Sequence, residues 1–167
     1  AARYDDAGGS DAGAIYMVDG VGSSGSFEDL YDAKITGSVA GGALGGALAS
    51  GDLNGDGDDD LVVGFSVASS SAGSVGIFDS GYGGSLSYTD ADSSITGVSG
   101  SDELGSAVGV LPDLDGDGYA ELLVGAPGQD TGANAAGATY LFFGPVSSGG
   151  ASTADAVFVG ESVSDRT

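Results

Sequence analysis

The sequence lacks the two side chains on which many catalytic and metal sites depend. It contains no Cys and no His. Without Cys there are no disulfides and no thiolate metal sites. Without His there is no serine-type triad, and the usual general base and most zinc sites are also removed. We therefore expect a protein that is not an enzyme.

Basic residues are also scarce. Arg3, Lys34 and Arg166 stand against 25 acidic residues, and the net charge is -22. Nucleic acids and anionic lipids need a basic surface, so we expect neither as a partner. Such a surface attracts cations and suits a salty or calcium-rich medium, where charge is screened within about 10 Å. A merely soluble acidic protein is the alternative interpretation.

Long apolar runs and an initiating methionine are missing. No stretch approaches the ~20 apolar residues that span a bilayer, so we expect no membrane span. No signal peptide is visible and the chain begins with Ala1, which predicts a processed product or a fragment. What is present is a 41% hydrophobic chain with 34 glycines, enough for a core joined by many turns.

Short motifs recur along the chain at a spacing of about 60 residues. The recurring motifs are Leu44-Gly45 and Leu104-Gly105; Ala12-Gly13, Ala72-Gly73 and Ala136-Gly137; and the segments that begin at Asp32, Asp92 and Asp155. Repetition at this period indicates a repeat architecture.

The sequence pattern within each repeat predicts four short strands. β-Branched or aromatic runs, bounded by Gly, Ser and Asp clusters, lie near 44–50, 60–66, 74–79 and 93–97, near 104–111, 120–125, 137–144 and 155–160, and near 13–19 and 33–37. No window of 11 or more residues has a helical apolar stripe, so helix content should be low. Repeated four-stranded units favour an all-β fold made of β-propeller blades, which are four-stranded antiparallel sheets.

The repeat divides the chain into three units. We predict a partial blade with the outer two strands over 1–43, and complete blades over 44–103 and 104–167. The chain stops where the next Leu-Gly motif would begin. This predicts a partial propeller of about two and a half blades. Because propellers usually close with four to eight blades, we expect further blades in the same protein or in neighbouring subunits.

Two acidic loops, residues 52–60 and 113–121, share the pattern D-x-[DN]-G-D-G-x-x-[DE]. Calcium takes 6–8 oxygen ligands, and this spacing offers them at alternate positions. The candidate side-chain ligands are Asp52, Asn54, Asp56 and Asp60 in the first loop, and Asp113, Asp115, Asp117 and Glu121 in the second; the backbone carbonyls of Asp58 and Tyr119 complete the two sets. Like charges 4 Å apart cost on the order of 4 kcal/mol at an effective dielectric near 20, so a bound cation should stabilise the fold.

Other interpretations of the loops fit less well. An EF-hand needs a bidentate Glu at loop position 12, where this chain has Val63 and Val124, and dockerin-like loops fail in the same way. Magnesium prefers to keep several waters. An Asp-Gly turn that binds no ion is the remaining alternative. Asp59 is interpreted as a solvated neighbour rather than a ligand.

With these residues the chain resembles the FG-GAP repeat, the blade of the integrin α-subunit propeller and of many bacterial and archaeal extracellular proteins. Leu104-Gly105 and residues 113–127 carry the resemblance, as do Leu44-Gly45 and residues 52–64. The first unit departs from the family at Phe65-Ser66, and both units have Leu where the family often has Phe. The resemblance implies one calcium in the hairpin between the first and second strands of each blade, hence two sites. It also implies ligand recognition by loops on the opposite face.

Three functions follow as hypotheses. The first is a calcium-binding extracellular or cell-surface propeller segment, which acts in adhesion toward a protein or glycan ligand or as a structural module. The second is a subunit of a head-to-tail filament or ring, joined through open strand edges. The third is a carbohydrate-binding appendage of an extracellular enzyme, in which tyrosines stack on sugars. The tyrosines considered are Tyr16, Tyr31, Tyr82, Tyr88 and Tyr140, although aromatic strand residues more often serve packing.

Overall fold

The computed structural model describes residues 1–18, 25–26, 30–67, 72–130 and 136–162. These residues form twelve strands: β1 (Ala14–Met17), β2 (Ala33–Thr36), β3 (Ala47–Gly51), β4 (Asp60–Phe65), β5 (Ser74–Phe78), β6 (Gly84–Ser87), β7 (Ser93–Thr96), β8 (Ala107–Leu111), β9 (Glu121–Ala126), β10 (Ala138–Phe142), β11 (Gly149–Gly150) and β12 (Ala156–Val159). Two three-residue 3₁₀ helices occur at Tyr88–Asp90 and Ala151–Thr153. The predicted all-β class with very little helix is confirmed. No helix among the described residues is long and apolar enough to cross a membrane.

Two of the three sheets contain the predicted four-stranded antiparallel unit. Strands β3, β4, β5 and β7 (the first blade) lie in sequence order across one sheet, and β8, β9, β10 and β12 (the second blade) lie in the same order across another. The register repeats as well, because Ala47 pairs with Gly64 as Ala107 pairs with Gly125. The third sheet holds β1 and β2, the N-terminal strand pair.

Strands β6 and β11 were not predicted from the sequence. Each lies in the connection between the third and fourth strands of its own blade, but pairs with the fourth strand of the unit before it. Strand β6 runs parallel to β2, and β11 runs parallel to β7. The N-terminal sheet therefore has three strands, and the sheet of the first blade has five. Consecutive units are joined by shared sheet edges as well as by side-chain packing.

The recurring Ala-Gly and Leu-Gly motifs meet at the joints between units. The Leu104 N–H donates to the Ala72 carbonyl at 3.0 Å, and the Leu44 N–H donates to the Ala12 carbonyl at 2.9 Å. At Gly73, where φ is +80°, a Cβ atom would lie 2.1 Å from the Leu104 carbonyl oxygen. Leu44 and Leu104 are fully buried. The motifs recur because each joint needs a glycine, which has no side chain, on one side and a buried leucine on the other.

The core also runs across the units. One cluster of buried side chains joins the first and second blades and includes Leu53, Val62, Ile95 and Leu122. The inner strands β3 and β8 lie side by side. At Gly51 a Cβ atom would lie 2.5 Å from Val110 Cγ1, so the first strand needs a small residue at this close approach. The packing fixes the two hairpins that follow these inner strands relative to each other.

Candidate metal sites

Both acidic loops lie in the hairpin between the first and second strands of a blade. The first loop connects β3 to β4, and the second connects β8 to β9. Across the base of each hairpin, Gly51 pairs with Asp60 and Leu111 pairs with Glu121. Asp52 follows β3 directly, and Asp113 follows β8 after Pro112. The sheet register therefore brings the last acidic residue of each loop near the first.

The first aspartate of each loop binds the backbone of the loop itself. Asp52 accepts the Gly55 N–H at 2.6 Å and the Gly57 N–H at 3.0 Å through its two carboxylate oxygens. The second loop repeats these bonds from Gly116 (2.6 Å) and Gly118 (2.9 Å) to Asp113. All four glycines have φ between +80° and +98°, a region that glycine enters without steric cost.

The middle residues continue the same arrangement. The Asp56 N–H donates to Asn54 Oδ1 and the Asp58 N–H donates to Asp56 Oδ1, each at 2.9 Å. The second loop has the equivalent bonds from Asp117 to Asp115 (3.1 Å) and from Tyr119 to Asp117 (3.0 Å). Asp113, Asp115 and Asp117 each present a carboxylate oxygen within 4.8 Å of the other two. Two ligands that share a calcium at 2.3–2.6 Å lie no more than about 5 Å apart, so this group can hold one ion.

The last acidic residue of each loop is fully buried. Asp60 Oδ2 accepts the Leu53 N–H at 3.0 Å, and Glu121 Oε1 accepts the Leu114 N–H at 3.0 Å. Within the part of the chain that the structure describes, the other oxygen of Glu121, Oε2, is buried and has no hydrogen-bond partner. A buried carboxylate oxygen without a donor is costly, and a cation would satisfy it.

The charge environment of Asp60 differs from that of an exposed carboxylate. Burial raises the pKa of Asp60 most, and the nearby charges of Asp79 and Asp56 raise it further. Hydrogen bonds from the Leu53 and Ser80 N–H groups act in the opposite direction. The first loop therefore holds closely spaced acidic groups that favour either a proton or a cation.

Asp79 and Ser80 belong to the surroundings of the first loop, and sequence reasoning missed them. The Ser80 N–H donates to Asp60 Oδ1 at 3.1 Å, and the Ser80 hydroxyl donates to Asp56 Oδ2 at 3.3 Å. Burial raises the pKa of Asp79, the charges of Asp92 and Asp56 add to this, and a hydrogen bond with Asn54 lowers it. The second blade has Phe143-Gly144 at the equivalent positions. Because the two repeats differ at this point, the repeat pattern did not indicate Asp79 and Ser80 as part of the site. In the sequence, they are visible only as an Asp-Ser pair directly after β5.

The tyrosines considered for sugar stacking take part in packing. Tyr88 and Tyr140 are buried, and the Tyr88 hydroxyl lies 2.7 Å from Ser74 Oγ. Burial raises the pKa of Tyr88 to about 12. Tyr16 and Tyr31 meet edge to face with ring centroids 5.7 Å apart. Tyr82 packs against the cluster of buried side chains that includes Phe78.

A cavity of about 350 Å³ lies beside Tyr88, and residues of the first blade line it together with Ser38 and Val39. Its lining residues include the aromatic Phe65 and Tyr88 and the hydroxyl-bearing Ser74, Thr89 and Thr96. The Tyr88 hydroxyl, which is the polar group of this ring, is already engaged by Ser74. The cavity therefore adds no observation that favours sugar binding.

The sheets and hairpins together define a class: an all-β repeat protein whose four-stranded blades each carry an acidic loop between the first and second strands. The family model of the FG-GAP repeat matches residues 44–78 and 104–142, and the two matches support the assignment to the FG-GAP family. Each matched segment begins at a Leu-Gly motif and ends at the third strand, so it includes the whole acidic loop. FG-GAP repeats imply β-propeller blades and are typical of extracellular proteins. No curated protein matches the chain at a significant level.

Proposed function

We propose that the chain is a non-enzymatic, calcium-stabilised segment of an extracellular or cell-surface β-propeller that acts in adhesion or as a structural module. It comprises a partial blade over 1–43 and complete blades over 44–103 and 104–167. The observation that carries the calcium proposal is the group of carboxylates formed by Asp113, Asp115 and Asp117. Glu121 Oε2, which is buried and has no hydrogen-bond partner among the described residues, supports it. The match to FG-GAP repeats, which often bind calcium, supports it.

Each loop would supply five oxygen-bearing residues to its ion. The first ion is held by Asp52, Asn54, Asp56, Asp60 and the carbonyl of Asp58, and the second by Asp113, Asp115, Asp117, Glu121 and the carbonyl of Tyr119. Water completes the 6–8 ligands that calcium takes. The bound cation offsets the repulsion among the carboxylates, so the ion stabilises the hairpin and, through the buried acid, the start of the second strand.

Thermal unfolding in calcium and in a chelator tests the proposal. At a free calcium concentration 100 times the dissociation constant, one site contributes about 2.7 kcal/mol, which corresponds to roughly 5–10 °C in Tm for a domain of this size. Titration calorimetry should give two ions per chain. A melting temperature that does not change in millimolar calcium would overturn the calcium proposal.

Substitutions in and beside the loops sharpen this test. Asp113→Asn together with Asp117→Asn should reduce the stoichiometry from two ions to one. The matched control is Asp59→Asn, because Asp59 is an exposed acidic residue of the first loop that is not in the ligand set. This control should leave both ions bound. Loss of an ion in the control, or two ions in the double variant, would show that the ligand sets are wrong.

A head-to-tail assembly is the second candidate, and the outer edge of β12 favours it. Strands β2 and β7 each carry a parallel strand from the following blade, whereas among the described residues no strand covers the outer edge of β12. Ile35 and Ile95 are buried in the earlier units, but Phe158 at the equivalent register is 59% exposed. Another blade placed beside β12 would cover this edge and this ring.

A further inference from the structure

The two acidic loops touch each other through residues of both ligand sets. The Ala120 N–H, at the end of the second loop, donates to the Asp52 carbonyl at 2.9 Å. The ring of Tyr119 lies against Gly55 so closely that a Cβ atom there would be 2.5 Å from Tyr119 Cε1. The two hairpins therefore share one contact surface, although they belong to different blades.

Building on the proposed function, we propose that the two calcium sites are coupled: calcium in the second loop raises the affinity of the first loop, and the reverse. Coupling between two binding sites is reciprocal by thermodynamic linkage. The structural element that connects them is the backbone and side chain of Tyr119 and Ala120. Blades in a repeat protein would then bind calcium as neighbours that assist each other.

The first step of the coupling is the ordering of Tyr119 by the second ion. The Tyr119 carbonyl is the backbone ligand of the second site, and the Tyr119 N–H donates to Asp117 Oδ1 at 3.0 Å. Both sides of this residue's backbone therefore belong to the second site. An ion bound there fixes the position of the residue and, with it, the direction of its ring.

The second step is the transfer of this order to the first loop. The ring rests on Gly55, which lies between the ligands Asn54 and Asp56. The neighbouring Ala120 N–H holds the carbonyl of Asp52, whose carboxylate in turn binds the N–H groups of Gly55 and Gly57. A first loop that is held in this conformation before calcium arrives loses less conformational entropy on binding, so its affinity is higher.

A third connection runs through the core. Leu53, which follows Asp52, is buried in the cluster that joins the two blades, and Ala120 packs against this cluster. The Leu53 N–H donates to Asp60, the buried ligand of the first site. The backbone on both sides of the contact is thus tied to a buried acidic ligand, Asp60 in one blade and Glu121 in the other.

Charge acts in the opposite direction. An ion in one loop weakens the negative potential at the other and lowers its affinity. This effect is screened within about 8 Å at physiological ionic strength, whereas the packing of Tyr119 on Gly55 does not depend on salt. We therefore expect net positive coupling at 0.15 M salt.

Titration calorimetry on the full chain, with calcium as the only ligand, measures the coupling. The affinity of the first site is determined in the unsubstituted chain and in the Asp113→Asn/Asp117→Asn variant, in which the second site is disabled. The expected ratio of the two affinities is about 5-fold or more, the lower end of typical allosteric coupling. With Tyr119→Ala in both backgrounds, the ratio should fall well below that of the unsubstituted chain, because the contact between the ring and Gly55 is lost while the hydrogen bond from Ala120 to Asp52 remains.

Matched variants separate the contact from other effects. Tyr119→Phe retains the ring and should retain the ratio. Leu114→Ala removes an apolar side chain of the same loop, and this side chain is 57% exposed. The Leu114→Ala variant should also retain the ratio. The two Asn substitutions also change the electrostatic potential at the first loop, because they remove two negative charges. Repetition at 1 M NaCl, where the Debye length is about 3 Å, screens this change. If Tyr119→Ala does not fold, the ratio at 1 M NaCl still tests the coupling.

The outcomes distinguish the two proposals. Failure of both loops to bind calcium overturns the proposed function, and the coupling with it. Two ions bound with a ratio of 1 in the unsubstituted chain leaves the proposed function intact and overturns the coupling. A ratio below 1 at 0.15 M NaCl also overturns it, because charge repulsion would then exceed the effect of the contact.

Discussion

Of the two basic residues that the structure describes, Arg3 is exposed and Lys34 is buried, in a chain of net charge -22. Its Nζ atom lies 4.5 Å from the ring centroid of Tyr16 and 3.9 Å from Asp5 Oδ1. Tyr16 donates its hydroxyl to Asp5 Oδ2 at 2.5 Å. This hydrogen bond is the main cause that holds the pKa of Asp5 below its usual value, assisted by the Ala7 N–H and the Lys34 charge and opposed by burial.

Tyr16→Phe should therefore destabilise the protein in a pH-dependent way. A lowered pKa in the folded state means that ionised Asp5 contributes stability above about pH 4, its unfolded value, and that this contribution is lost as the pH falls through the folded pKa. We expect a loss of about 1 kcal/mol at pH 6 and a smaller loss at pH 2.5, measured by chemical denaturation in a chelator.

The control for this prediction is Tyr4→Phe, which removes a hydroxyl from a ring that is 71% exposed. It should change the free energy of unfolding at neither pH. An equal loss at pH 6 and pH 2.5 in Tyr16→Phe would mean that the hydroxyl stabilises the fold without acting on the ionisation of Asp5.

The sequence predicted most residues of the candidate sites and missed two. The ligand candidates were found because alternate oxygen side chains recur in both repeats, and the structure places all of them in the two hairpins. Asp79 and Ser80 were missed because they reach the first loop only through the pairing of β4 with β5. Whether the candidates bind calcium stays a prediction.

At the scale of elements, the ten predicted strands are present, and the differences lie at their ends. The first strands begin at Ala47 and Ala107 instead of 44 and 104, because each Leu-Gly motif is occupied by the joint to the preceding unit. Strands β6 and β11 could not be predicted, since Gly84–Ser87 has no β-branched residue and Gly149–Gly150 has no side chains. These strands exist only because the preceding unit offers an edge.

Gly73→Ala tests whether the joint sets the stability of the array. The new Cβ atom would meet the backbone of Leu104 at 2.1 Å, and the residue would keep a φ of +80°. Overpacking and left-handed strain together predict a loss of about 3 kcal/mol in the free energy of unfolding. Chemical denaturation measures this loss.

Gly83→Ala is the control for an ordinary surface glycine, because Gly83 lies outside the left-handed region of φ and a Cβ atom there has no heavy atom within 4 Å. It should change the stability by no more than about 0.5 kcal/mol, as is usual for surface substitutions. A similar effect of both alanines would indicate that general backbone stiffness, and not the joint with Leu104, explains the result.

At the scale of the whole molecule, strong negative charge and the outer edge of β12, which no described strand covers, have opposite effects on association. The net charge of -22 makes copies of the chain repel, while Phe158 and the outer edge of β12 favour contact with another blade. The repeat period predicted the blades, but it could not predict the exposure of this edge, which depends on what lies beside it.

Sedimentation in calcium at 0.05 and 0.5 M NaCl tests the assembly candidate. If β12 is a docking edge, the chain should self-associate, and more strongly at high salt because repulsion is screened. Phe158→Ser should weaken the association at least 10-fold, since burial of a large apolar side chain contributes about 1.5–3 kcal/mol. Val98→Ser, at a residue that is 58% exposed, is the control and should have no effect. A monomer under every condition would contradict the assembly candidate.

The strand that each blade gives to its predecessor bears on how such arrays change length during evolution. Strand β11 lies within residues 104–167 but completes a sheet whose other strands lie within 44–103. A duplicated unit inserted at any joint would give one strand to the unit before it and receive one from the unit after it. The same contacts would therefore form again on both sides of the insertion, and gain or loss of whole units requires no new interface to evolve.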